Sequence, residues 1–206
     1  MKQQIQIMLE MQDEMNSKVN SDWRQQGFAW YRAIWIECAE MLDHYGWKWW
    51  KKQTPDIEQV TLELIDIWHF GLSILILEKH DAKAIADELE PALSQDIAQA
   101  SFPQELESFV ETVLKEKSFS VAGFAKLMRC IDLNFNQLYS GYVGKNVLNF
   151  FRQDNGYKSG SYQKEWQGRE DNEHLVELAS ILDSGASDFK EQLYAALTQR
   201  YRESLN

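Results

Sequence analysis

Cysteine is nearly absent from this chain: Cys38 and Cys130 are the only two in 206 residues. A small disulfide-built scaffold is thereby excluded, and a reducing compartment suits the sequence. Proline is as rare, at positions 55, 91 and 103, and runs of β-branched residues are few. The chain therefore reads as all-α. Positive charge is short too, with 21 Lys and Arg against 32 Asp and Glu, a net charge of −11. That balance argues against non-specific binding to nucleic acid or to an anionic membrane. With Lys-Gln-Gln-Ile-Gln at residues 2–6, a targeting leader is not expected. The longest apolar run, Leu64 to Leu77, carries Asp66 and His69 and reads as too short and too polar to span a bilayer. The expectation is a cytoplasmic protein with no membrane and no nucleic-acid partner.

What is present is a core-forming composition. The chain is 44% hydrophobic with eight Trp, enough for one domain over residues 1–206. Residues 3–19 place Ile5, Met8, Leu9, Gln12, Met15, Asn16 and Val19 on one helical stripe. Gln12 and Asn16 interrupt that stripe as an i, i+4 amide pair. They are either core amides satisfied by backbone or a donor-and-acceptor surface suited to a nucleobase edge. A second helix, 27–45, ends at Gly46, and a third runs over 57–79 after Pro55; both read as buried all round. His69 reads as a hydrogen-bonded core histidine. Residues 80–120 are acidic and free of Trp, two amphipathic helices joined near Ser101-Phe102-Pro103. A core-like helix is expected over 121–142, and an amphipathic helix or pair over 172–204, broken at Ser184-Gly185.

Two acidic pairs stand inside the Trp-rich helices: Glu37-x-x-Glu40 and Glu63-x-x-Asp66. The i, i+3 spacing sets both carboxylates of a pair on one helix face. Four carboxylates gathered in apolar surroundings cannot all stay ionised without a neutralising cation. Hard oxygen ligands of this kind select Mg²⁺, with Mn²⁺ as a substitute. The contrary reading places the same acids on solvated helix faces. Residues 144–164 add a basic, glycine-containing segment in which Lys145, Arg152, Lys158 and Lys164 face Asp154 alone. Gly156 and Gly160 permit tight turns, and Lys and Arg beside such turns suit a phosphate chain. An ordinary surface loop is the other reading.

These residues resemble those of a known family. Glu37-Cys-Ala-Glu40 with Glu63-Leu-Ile-Asp66 resembles the all-α NTP pyrophosphatase superfamily. Gln12-x-x-x-Asn16, Trp47-Lys48-Trp49-Trp50-Lys51, Asp66-Ile-Trp-His-Phe70 and the run from Gly144 to Lys164 narrow the resemblance to the dimeric dUTPases. It extends over nearly the whole chain except 80–120, which looks like a variable helical insertion. The resemblance implies an all-α bundle that hydrolyses dUTP, and dUDP, to dUMP with release of pyrophosphate or phosphate. It implies Mg²⁺ and a homodimer with sites near the subunit interface. It assigns Glu37, Glu40, Glu63 and Asp66 to the metal, and since a carboxylate not fully occupied with metal can take a water's proton, Glu37 is our choice of general base. It assigns Gln12 and Asn16 to uracil, Trp50 and Phe70 to the walls around the base, and Asn146 and Asn149 to the sugar. Lys48, Lys51, Lys145, Arg152, Lys158 and Lys164 are its phosphate-contact candidates. Two rivals remain at this point: a MazG-like pyrophosphatase for another or non-standard nucleotide, and an inactive relative that only binds nucleotide.

Overall fold

Helix boundaries follow local chemistry closely. The computed structural model describes residues 1–79, 81–94, 101–183, 186 and 188–205. Helix α1 spans Lys2–Val19, α2 Trp30–Tyr45 and α3 Ile57–Lys79. Gly46 stops α2: its φ of 90° is open to glycine, and its N–H closes on the Leu42 carbonyl. Asp56 starts α3, its Oδ1 accepting from the Gln59 N–H at 3.2 Å. Then follow α4 (Ala82–Ser94, with Pro91 inside it), α5 (Phe102–Glu116), α6 (Val121–Cys130) and α7 (Phe135–Asp154). A two-residue hairpin, β1 (Glu165–Trp166) and β2 (Arg169–Glu170), pairs antiparallel before α8 (Asp171–Ile181) and α9 (Phe189–Ser204). The all-α expectation holds.

The chain divides into two compact units, Met1–Tyr139 and Ser140–Asn206. In the first, α3 is the central helix, with α1, α2 and α4 packed on it, while α5 covers α2 and α6. Trp68 anchors this core: its ring stacks on Phe124 at 4.9 Å and its indole N–H donates to Met8 Sδ at 3.4 Å. Gly71 permits the close approach of Phe119, since a Cβ there would stand 2.7 Å from that ring. By length and composition α3 could cross a membrane: it has 23 residues and contains an 18-residue window of mean hydropathy 1.7. That corrects the judgement drawn from the Leu64–Leu77 run. Two thirds of the apolar window is nevertheless buried inside the unit, as in a core helix. The second unit gathers an aromatic core around Phe151, whose ring meets those of Tyr162, Trp166, Tyr194 and Tyr201 at 5.4–6.2 Å.

Several expectations are corrected. The helix expected over 121–142 is two helices. Asp132 takes a left-handed φ of 55°, and Asn134 with Gln137 forms a reciprocal cap that starts α7 afresh. The basic segment 144–164 is helical as far as Asp154, so only 155–164 is loop. Helix α2 is not buried all round: Trp35 and Ile36 are exposed, and so is Val19 at the end of the α1 stripe. The hairpin was not foreseen. The break expected at Ser184-Gly185 lies outside the described residues.

Candidate active site

The most extensive helix pairing, α2 on α3, brings three of the four expected carboxylates together. One oxygen from each of Glu37, Glu63 and Asp66 lies within 4.8 Å of the others, and all three residues are half-buried. Glu40 is outside this triad and exposed, one turn along α2. Burial, the negative charge of Asp66, a hydrogen bond with Glu63, and the charges of Glu63 and Glu40 push the Glu37 carboxyl up to about 8. His44, two turns beyond Glu37, sets Nε2 3.5 Å from Glu63 Oε1. Sequence reasoning passed it over, although i, i+7 spacing places it on the Glu37 face. The donor set fits a hard divalent ion. Oxygens bound to one Mg²⁺ span at most about 4.2 Å, so small side-chain adjustments close the triad around it. Cys38, next to Glu37, is buried with its thiol held far above the usual range, and it is not a ligand type such an ion selects.

The α3 stripe continues from the acids. Glu63, Asp66, Phe70, Ser73 and Leu77 follow at steps of three and four. Phe70 lies 6.1 Å from Trp30 ring to ring, and Trp30 in turn meets Trp23 and Phe28 edge-on. Beyond this pair a cavity of about 410 Å³ is lined by Phe28, Trp30, Tyr31, Ile74 and Leu77. Trp30 was not singled out from sequence. Trp50, the other expected wall, is 58% exposed and edge-on to Trp47 and Trp49 instead.

Gln12 and Asn16 are 4% and 8% exposed. Side chains of α1 and α3 hold both amides. Gln12 Nε2 donates to Asn16 Oδ1 and to Ser73 Oγ, both at 3.1 Å. Asn16 Nδ2 donates to Ser73 Oγ at 2.9 Å, and Gln12 Oε1 faces His69 Nδ1 at 2.9 Å. The core-histidine reading of His69 fits this network. Ser73 was not singled out, although it follows Asp66 and His69 at helical spacing. The network lies one to two turns past Asp66, about 10 Å along the helix axis.

The basic candidates divide by what already holds them. Lys48 pairs with Asp43 at 2.5 Å, and Lys51 is exposed. Within the second unit, Lys145 and Asn146 are buried in α7, and Tyr142 hydrogen-bonds Asn146. Arg152 grips the fully buried Asp171 through Nε at 2.8 Å and Nη2 at 2.7 Å, and its Nη1 donates to Asn149 at 3.3 Å. Burial lowers the Arg152 pKa, but the hydrogen bonds and charge of Asp171 outweigh it and hold the guanidinium above its ordinary value. Tyr162 donates to the same carboxylate at 2.8 Å. Lys158 and Lys164 are exposed, and Lys164 lies 3.2 Å from Glu170. Gly156, at φ 92°, directs its carbonyl to the Ser159 and Ser161 N–H groups, so the loop is a built turn.

A family model for dUTPase matches residues 4–157, which include both acidic pairs, both amides and the start of the loop. No curated protein matches the chain.

Proposed function

This chain belongs to the dUTPase family, and we propose that it hydrolyses dUTP, and dUDP, to dUMP with release of pyrophosphate or phosphate at the Glu37, Glu63 and Asp66 triad with Mg²⁺ bound there. That it is a dUTP diphosphatase follows from the family. The observation that carries the metal assignment is the convergence of three half-buried carboxylate oxygens within 4.8 Å. A bound divalent ion would neutralise phosphate oxygens and acidify a water. Glu37 takes the proton of the attacking water from its place in the triad. Glu40 joins from one turn further along α2.

Gln12 and Asn16 read the base, with Phe70 and Trp30 as its aromatic wall and Trp50 closing from the Trp47–Trp50 segment. Asn146 and Asn149 serve the sugar. Exposed Lys51, Lys158 and Lys164 suit the phosphates; Lys145 is buried, and Lys48 and Arg152 are held by Asp43 and Asp171. A homodimer accords with the exposed Trp35 and Ile36 on α2, and light scattering reads it directly. Product analysis by ion-exchange chromatography, with and without EDTA, tests the reaction. The expected result is dUMP and pyrophosphate only when a divalent ion is present. Turnover indifferent to chelation overturns the metal assignment.

A further inference from the structure

The proton of Ser73 decides how two amides face. Ser73 is fully buried, and its hydroxyl donates to the His69 carbonyl at 3.1 Å, an atom that can only accept. Its lone pairs are therefore what meet Asn16 Nδ2 at 2.9 Å and Gln12 Nε2 at 3.1 Å. Gln12 Nε2 gives its other hydrogen to Asn16 Oδ1. The donor and acceptor ends of both amides are thus assigned, starting from one main-chain carbonyl. Turning the Asn16 amide by 180° would set Oδ1 against Ser73 Oγ, whose one proton would then have to leave the His69 carbonyl. It would also set Nδ2 against Gln12 Nε2, donor against donor. Both clashes are buried, where unmatched polar groups are costly.

We infer that Ser73 is a specificity-determining positioning residue: by locking the Asn16 amide in one of its two flip states, it decides whether a uracil-type or a cytosine-type edge is accepted. The inference rests on the reading of Gln12 and Asn16 as the base-reading pair. Uracil presents an N3–H and a carbonyl at C4, where cytosine presents a bare N3 and an amino group. An amide held in one orientation matches one of these patterns. An amide free to turn serves both.

The test is Ser73→Ala, which removes one oxygen and adds no bulk, with Ser73→Thr as the variant that keeps the hydroxyl. Wild type should favour dUTP over dCTP in kcat/KM. In Ser73→Ala the dCTP/dUTP ratio should rise about tenfold or more, mainly through the KM for dCTP, because the carboxylate triad is untouched. Ser73→Thr should return the ratio toward wild type. Side-chain amide NMR of the substrate-free protein gives a second readout. The Asn16 side-chain N–H signals should be sharp in wild type and should shift or broaden in Ser73→Ala, whether or not Thr is accommodated. A wild type that favours dUTP and a Ser73→Ala variant that keeps both the ratio and the Asn16 signals would overturn the role of Ser73. Loss of the Asn16 lock in the NMR spectrum, in a wild type indifferent between dUTP and dCTP, would leave the flip lock standing and sink the base-reading assignment, and with it this specificity role.

Discussion

Glu37 is where burial and charge disagree most. Its carboxyl has an ordinary pKa of 4.5 and is pushed up to about 8. In the metal-free protein this acid favours folding fully below about pH 4.5, where both folded and unfolded chains hold the proton. Between 4.5 and 8 only the folded chain retains it, so stability falls as pH rises through about 8. Urea unfolding in EDTA across pH 5–9 should show that decline, and Glu37→Gln should flatten it. Metal binding must expel the proton, so apparent Mg²⁺ affinity should rise with pH over the same window, read by calorimetry in buffers of different ionisation enthalpy. Glu37→Gln should also lower kcat by roughly a hundredfold or more, as expected for a lost general base. The triad was half legible in sequence: i, i+3 spacing in apolar context identified the acids. Spacing on separate helices could not show that Glu37, Glu63 and Asp66 converge while Glu40 stays outside their triad, because that depends on how α2 is rotated about its own axis against α3.

Between α7 and α8, Asp171 ties the two ends of the loop by accepting from Arg152 on one side and Tyr162 on the other. Arg152 drew attention in the sequence as a phosphate ligand because basic residues beside glycines suggest anions. Its actual partner lies 19 residues on, in a region without acidic periodicity of its own. Removing one member of a buried pair strands the other, so Asp171→Ala should destabilise by about 3–5 kcal/mol, read by urea unfolding. The Mg²⁺ affinity should stay unchanged in whatever fraction remains folded. Gly156→Ala should be damaging in its own right, since a Cβ would stand 2.0 Å from Ser161 Oγ at a left-handed φ. Faster hydrogen exchange from Tyr157 to Ser161 is the expected signature, because those amides now close the turn on Arg152, Gly156 and Tyr157.

At the scale of the molecule, Mg²⁺ should act as a folding ligand. Ions that bind only the native chain stabilise it by mass action, about 2.7 kcal/mol at a hundred times Kd. The melting temperature should rise with Mg²⁺ in wild type and hardly move in Glu63→Gln. In Glu40→Gln the rise should be largely retained, since Glu40 stands outside the triad. Equal loss in both variants would return Glu40 to the ligand set; equal rises in all three would place the ion elsewhere.

Periodicity and composition determined the all-α class, the extent of α3 to the residue, the two carboxylate pairs and the buried amides, because each depends on local spacing along one helix. Tertiary structure alone decided which acids converge, that Gln12 and Asn16 are satisfied by Ser73 and His69, that Trp30 rather than Trp50 meets Phe70, and that Arg152 serves Asp171. Each of these is a contact between elements distant in the chain, set by helix rotation and packing, to which a period of 3.6 residues is blind.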